Sequence, residues 1–411
     1  MKKLVSILLL CALALTSISA LAAPKPLKPN KFSLPLEGTV LQNVPDRGII
    51  PQTDAARRPM VPGESPTTGL PWDGSYLPMI VQISNSSDNA KALAENGKNI
   101  VSSGLGAKAP WGGQYADIVF EGSLRYDGAT RISFLFSDSF ADGQPVSAGP
   151  VRSARIGHVL LRQEWQSGIV YAGGPRRTDN NIRELFGELG ADDAGVLFDL
   201  TGGHFNEYQR RLKKSATLLA PPKAPDNLDS NVIGLRGEIP SDYHSEPRAF
   251  LFTDESPYVE GYEFGYTINL DWGDKRSVSH FRYDEDNNLY LRFCGETTDP
   301  QKWAPYMTYA SGEDRSAENQ EQLSFANVII QRVEYEYVNN NKIMPNMQSV
   351  GQGNADIFIG GRYIPGYWVR KGVDDPTVFY DDKGEELQLT RGKTFIVHFP
   401  PESLCTFTGV E

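Results

Sequence analysis

From Arg248 to the end, the chain reads as one strand after another. RAFLFTD, YEFGYTINLDW, SVSHFRYDEDNNLYLRFC, NVIIQRVEYEYV, ADIFIGGRYIPGYWVRK, TVFYDDKGEELQL and KTFIVHFP are rich in aromatics and punctuated by DNN, GG and DKG turns. Side chains that alternate along a strand bury one face of a sheet, so this half is expected to be mainly β. No repeat of solenoid length accompanies the pattern. The stretch before it is organised differently. LPMIVQIS (77–84) is a short apolar run typical of a buried strand, and ADIVFEGSLRYDGATRISFLFSD reads as two strands joined around Asp127-Gly128. Ile156, Val159, Leu160 and Gln163 then recur at helical spacing, which predicts a helix over 153–167 with Pro150 as start signal and Ser153 as N-cap. GIVYAGGP (168–175) is again a strand, and TDNNIRELFGELG (178–190) a helix capped by Thr178 or Asp179. Strand, helix, strand, helix implies a parallel crossover in a mixed sheet. The expected fold class is α+β, with an N-terminal α/β domain over 76–245 and a mainly-β C-terminal domain over 246–411. A length of 411 residues agrees with two domains.

The beginning of the chain belongs to neither. MKKLVSILLLCALALTSISALAA places Lys2 and Lys3 ahead of an apolar run over 4–15, and Ala20-Leu21-Ala22 supplies the small-x-small pattern. That predicts a secretory signal over 1–22 and an exported, extracytoplasmic protein. Two readings remain beside it. Cys11 invites lipidation, although Leu10 stands where a small residue is wanted, and the run 4–23 is nearly long enough for a membrane anchor, although Thr16, Ser17 and Ser19 interrupt it. Residues 23–75 are proline-rich with little periodicity and read as an extended lead-in with no core of its own. Without Lys2 and Lys3 the 40 basic residues fall to 38 against 51 acidic ones, a net charge of −13. Nucleic acid is therefore not an expected partner, and any anion site must be built from particular residues rather than the overall field. Cys294 and Cys405 remain in the mature chain. One disulfide and two separately buried thiols are both compatible with that pair.

GPVRSAR (149–155) is where chemistry concentrates. Arg152 and Arg155 flank Ser153 at the expected start of a helix, where free N–H groups and the helix dipole favour negative charge. Their forked donors suit phosphate or carboxylate. If RISFLFSD and GIVYA are parallel, the loops after both lie at one sheet edge, with Asn85 joining them from the first strand. Gly173 and Gly174 would then let a ligand approach the backbone. The competing reading is structural: Glu121 and Asp117 could neutralise the arginines and tie the hairpin to the helix, and whether Glu121 and Arg131 share a face depends on register. His204 and Asn206 in GGHFNEY are further polar candidates. DEDNN (284–288) has calcium-like spacing, but Leu289 replaces the needed glycine, so a hairpin turn is expected. HExxH, paired CxxC, GxSxG and Walker patterns are missing, so no cofactor and no metal site is expected.

Taken together these residues resemble the YerB-like family of exported bacterial proteins, a two-part domain family of unknown function. SPTTGLP, PMIVQISNS, ADIVFEG, TRISFLF, GPVRSAR and the AGG after the next strand carry the resemblance in the first half. NVIIQRV, GQGNADIFIGGRYIPGYWVRK and DPTVFYDDKGEELQLTRGKTFIVHFP carry it in the second. Three departures stand out: a polar insertion at about 88–112, Tyr171 where a histidine is common, and HFN in place of His-Asn. A looser similarity of order and spacing to the LytR–CpsA–Psr phosphotransferases would give Arg152 and Arg155 pyrophosphate contact and make Asp117 a metal ligand. The leading expectation is a binding or scaffold protein of the cell envelope. Its site would comprise Arg152, Arg155, Ser153, Arg131, Glu121, Asn85, Gly173, Gly174, His204 and Asn206, and would take a phosphate- or carboxylate-bearing envelope ligand or an envelope protein. The alternative is an enzyme handling lipid-linked cell-wall glycans. No integral membrane domain is expected.

Overall fold

In a computed structural model of the chain, the described residues are 39–41, 57–85, 110–125, 128–177, 180–213, 224–273, 278–295, 303–314, 319–337 and 344–409. The expected signal segment and most of the polar insertion lie outside them. The architecture is mostly β, with 42% strand against 12% helix, so α+β describes it only loosely. Among the described residues no helix is long and apolar enough to cross a membrane.

The first half supplies β1 (Thr39–Val40), β2 (Met79–Ser84), β3 (Ile118–Ser123) and β4 (Thr130–Phe136). Helix α1 (Ile156–Trp165), β5 (Gly168–Tyr171), α2 (Ile182–Glu188), β6 (Leu197–Asp199) and α3 (Val232–Gly237) follow. The second half begins with β7 (Glu263–Phe264), β8 (Thr267–Leu270), β9 (Ser279–Asp284), β10 (Leu289–Cys294), β11 (Ala304–Pro305) and β12 (Ser324–Phe325). It ends with β13 (Asn327–Arg332), β14 (Gly351–Ile359), β15 (Arg362–Arg370), β16 (Val378–Asp381), β17 (Thr394–Phe399) and β18 (Cys405–Thr408).

Strands of both halves share one sheet, in the order β7-β15-β14-β13-β17-β3-β4-β2-β5-β6, with β16 also on β15. The join is β17 on β3, a parallel pairing from Thr394↔Ile118 to His398↔Gly122. A second sheet, β1-β18-β8-β9-β10-β11 with β12 on β10, belongs to the same apolar core as one face of the first. Phe281 meets Phe395 edge-on at 5.1 Å and Phe358 meets Phe407 at 5.7 Å. Burying such rings supplies roughly 1.5–3 kcal/mol each. The opposite face of the large sheet, with Ile80, Phe120, Leu135 and Ile396, is covered by Leu161 and Trp165 of α1.

The crossovers expected from the first half are present: β2 pairs with β5 in parallel, and β5 with β6. The condition that RISFLFSD also runs parallel to GIVYA is not met. β4 runs antiparallel to β2 and hence to β5, so the loop after RISFLFSD leaves from the edge opposite Gly173. The chain then returns as an extended segment that separates the carboxyl ends of β2 and β5. Ser84 N–H donates to Pro150 O (2.9 Å) and Arg152 N–H to Gln82 O (2.8 Å) on one side. Ala172 N–H donates to Arg152 O (3.0 Å) and Ala154 N–H to Gly173 O (2.9 Å) on the other. GPVRSAR reaches the carboxyl edge by this route and not by the one its neighbours suggested. The ladder also holds Ser153 out of the helix, so the N-cap is Arg155 and not Ser153. For α2 the cap is Asn181, whose side chain accepts from the N–H groups of Arg183 and Glu184; Thr178 and Asp179 lie outside the described residues.

The described part of the proline-rich lead-in is docked rather than extended. Ser65, Thr67 and Thr68 are buried, and their hydroxyls donate to the Asp138 carboxylate. Cys294 and Cys405 are separate buried thiols, which settles that alternative against a disulfide. DEDNN forms the β9–β10 hairpin turn, with Tyr283 opposite Tyr290 and Asn288 in the left-handed region at φ 53°.

Candidate functional site

Register answers the question of faces. Arg131 lies opposite Gly122, and Glu121 opposite Ile132, so Glu121 and Arg131 project to opposite sides of the β3–β4 pair. Glu121 points into the space between the two sheets. There it meets Arg292 (3.2 Å), accepts from Asn85 Nδ2 (3.0 Å) and Thr130 Oγ1 (2.8 Å), and accepts from Ser279 Oγ (3.0 Å). Tyr306 Oη donates to Asn85 Oδ1 at 2.9 Å, which closes the network. Glu121 and Asn85 are therefore structural, and neither reaches the arginines of GPVRSAR.

Arg131 points to the other side, beneath the start of α1. It is 4% exposed, and its Nε and Nη1 are buried without a hydrogen-bond partner. Burial pulls its pKa well below the ordinary 12.5, and the neighbouring Arg155 and Arg152 pull the same way, with Asp226 opposing them. A guanidinium is basic enough to keep its proton near neutrality even so. Arg155 is lowered to about 10 by burial and then by Arg152. Among the described residues its guanidinium donates locally, to Ser153 Oγ (2.8 Å) and Ala154 O (2.7 Å). Arg152 faces Asp226 at 3.2 Å. The sequence-level alternative, neutralisation by Glu121 and Asp117, is not what the structure contains.

His158, on the first turn of α1, completes the cluster. Its Nδ1 accepts the Arg155 N–H at 3.0 Å, so a neutral ring carries its proton on Nε2. Burial lowers its pKa well below 6.5, and Arg131, Arg155 and His398 lower it further. His398 of β17 stacks on Phe120 at 5.9 Å and is lowered to about 4, chiefly by burial. Tyr335 donates to His398 O (2.8 Å) and accepts the Ser123 N–H (3.0 Å). Arg131, Arg155, His158, His398, Tyr335 and Gly122 line a cavity of about 20 Å³, with Leu161 and Met347 among its apolar walls. A larger cleft of about 540 Å³ lies by β13–β15, but there Arg332 is paired with Asp356 at 2.9 Å.

The remaining candidates fall elsewhere. Gly173 stands at φ +70°, which requires glycine, yet its N–H donates to Asp199 Oδ1 (2.9 Å) and its carbonyl is taken by Ala154. A Cβ on Gly174 would lie 2.1 Å from Ile182 Cδ1 and 3.1 Å from Ala154 O. Both glycines serve the packing of the corner and not the approach of a ligand. Gly174→Ala is accordingly expected to cost about 1–3 kcal/mol, read as a lower urea midpoint; an unchanged midpoint would mean that Ile182 repacks freely. His204 and Asn206 are exposed beyond β6, and among the described residues no hydrogen bond joins them to the arginines. Tyr171 packs on Phe186 of α2 at 5.7 Å. Asp117 N–H bonds Leu135 O, four residues along β4 from Arg131, or roughly 13 Å away at strand spacing. Asp117 accepts from Thr67 and from the Asp138 N–H, and burial followed by the Asp138 charge pushes its pKa well up. It does not share a site with the arginines.

Sequence reasoning missed His158, His398, Tyr335 and Asp226. Arg155 and His158 do not form the Ser/Thr-x-x-Glu/Gln pattern that marks a helix start, so the first carried no sequence signal. The others arrive from distant strands and loops, with no local signal.

Comparison with known proteins gives two family matches. The N-terminal domain of a protein of unknown function (DUF3048) matches residues 100–215, and the corresponding C-terminal domain matches residues 268–396. The crystal structure of the YerB protein from Bacillus subtilis is similar at 20% identity and a TM-score of 0.56. The likeness covers 82% of this chain and 96% of that one, and it bears on the fold alone. Among curated proteins none matches.

Proposed function

Because the chain belongs to the YerB-like, two-part DUF3048 family, we propose that it is an exported ligand-binding protein of the cell envelope whose arginine corner holds an anion. The observation that carries this reading is Arg131: a guanidinium 4% exposed, lining a cavity, with two nitrogens unpaired and two more arginines beside it. Burying a charge without a counter-ion costs several kcal/mol, and a bound oxyanion with charge-assisted hydrogen bonds offsets that cost. The signal-like first 22 residues support export. The phosphotransferase reading shares the arginine corner but also needs a metal ligand beside it, and Asp117 lies roughly 13 Å along the strand from Arg131.

The test is thermal unfolding of the mature chain with and without inorganic phosphate, beside Arg131→Met. Methionine fills much of the same space without a charge. The wild type is expected to gain about 1–3 kcal/mol in phosphate at 10 to 100 times Kd. The variant is expected to melt at or above the unliganded wild type and to ignore phosphate. A wild type indifferent to phosphate, beside a variant that melts far earlier, would make Arg131 a structural residue and end the proposal.

A further inference from the structure

The charges at the corner say more than that the ligand is negative. Arg131 and Arg155 each feel the charge of Arg152, and Arg131 that of Arg155; among the described residues the carboxylate that faces the cluster is Asp226, 3.2 Å from Arg152 and within electrostatic reach of Arg131. The other titratable groups lining the cavity are His158 from α1, His398 from β17 and Tyr335. All three are neutral near pH 7, and His158 has an Nε2–H to donate because its Nδ1 is occupied. Three positive charges against one negative leave an excess of two. Resting on the anion-binding reading above, we infer that the corner takes a dianionic tetrahedral oxyanion, the terminal phosphomonoester of a larger molecule, in preference to a carboxylate or a phosphodiester.

Shape and charge agree. A cavity of about 20 Å³ admits one oxygen-sized atom. One phosphoryl oxygen reaches Arg131, the others meet Arg155, and the esterified remainder stays outside. Opposite Arg131 on β3 stands Gly122, where a Cβ would come within 3.1 Å of Tyr335 Oη, so even a methyl group there would crowd the floor of the cavity. A monoanion would leave one of the two guanidiniums lining the cavity uncompensated, and forked donors match the oxygens of a phosphoryl group.

The experiment is calorimetric titration of the full chain at low salt with methyl phosphate, inorganic phosphate, sulfate, dimethyl phosphate and acetate. At pH 7.5 methyl phosphate and sulfate are expected to bind about tenfold more tightly than dimethyl phosphate and acetate. Methyl phosphate is expected to weaken as pH falls through about 6, where a phosphomonoester loses its second charge, while sulfate holds. Arg155→Gln, which lowers the excess to one, is expected to erase the preference. Dimethyl phosphate or acetate binding as tightly as methyl phosphate, or a preference that survives in Arg155→Gln, would overturn the dianion inference and leave the anion site standing. Inorganic phosphate binding about tenfold tighter than methyl phosphate would assign the site to the free ion and overturn the ester. Silence from all five probes would remove both this inference and the reading beneath it.

Discussion

Glu164→Gln is expected to cost the fold about 3–5 kcal/mol, because it strips the counter-charge from two buried guanidiniums at once. Glu164 is 4% exposed on α1; its Oε2 lies 3.2 Å from Arg370 Nη1 and its Oε1 3.3 Å from Arg248 Nη1. The Thr377 N–H adds a bond of 2.8 Å. Burial pushes the Glu164 pKa up, but Arg370, Arg248 and the Thr377 N–H together outweigh it and hold it below 4.5. A carboxylate depressed in the fold contributes stability that is complete above its unfolded value and lost as pH falls through the folded one. The gap between wild type and variant should therefore be constant near neutrality and close as pH drops below 4.5. Urea unfolding across that range measures it. A gap under about 1 kcal/mol would mean that the backbone carbonyls around Arg370, such as Leu160 O and Val373 O, carry its charge unaided.

Acidification from pH 7 to 4 is expected to remove about 3 kcal/mol through His398 alone. Its folded pKa, about 4 against 6.5, means that the unfolded chain binds the proton first. Stability is then full above 6.5 and falls progressively down to about 4. His158 shifts the same way, first because it is buried and then because protonation would add a cation beside Arg131 and Arg155. Asp117, Asp138 and Asp229 work in the opposite sense, because burial raises their pKa values and the fold keeps their protons longer. The comparison must therefore isolate the ring. His398→Leu should show a shallower decline than wild type between pH 6.5 and 4. Parallel pH profiles would place the proton elsewhere.

The fold was partly legible because its strands announce themselves. TRISFLF and NVIIQRV carry enough apolar residues to read as strands, and the strands flanking Asp127-Gly128 do pair antiparallel. What stayed hidden was direction and partnership. Nothing in RISFLFSD says that it runs against GIVYA, because that depends on an extended return segment whose hydrogen bonds go to Gln82, Ser84 and Gly173. Arg152, Arg155 and Arg131 were legible as a cluster because two of them sit in one short motif. Asn85 was placed with them on a shared sheet edge and Glu121 as a neighbour on the hairpin; the alternation of side chains along β3 turned Glu121 to the other side of the sheet, and Asn85 is hydrogen-bonded to it there. His398 and Tyr335 come from more than 170 positions away in the chain, a separation no local pattern encodes.

The pairing of β17 with β3 has a consequence for how the molecule is made. During synthesis β3 exists with one edge open until residues 394–399 have emerged, nearly at the end of the chain. Every copy must therefore survive most of translation as an incomplete sheet, and contacts that distant in sequence close slowly. A gene rearrangement that moved either half alone would leave two raw edges instead of two modules. The two parts are bound to be inherited together.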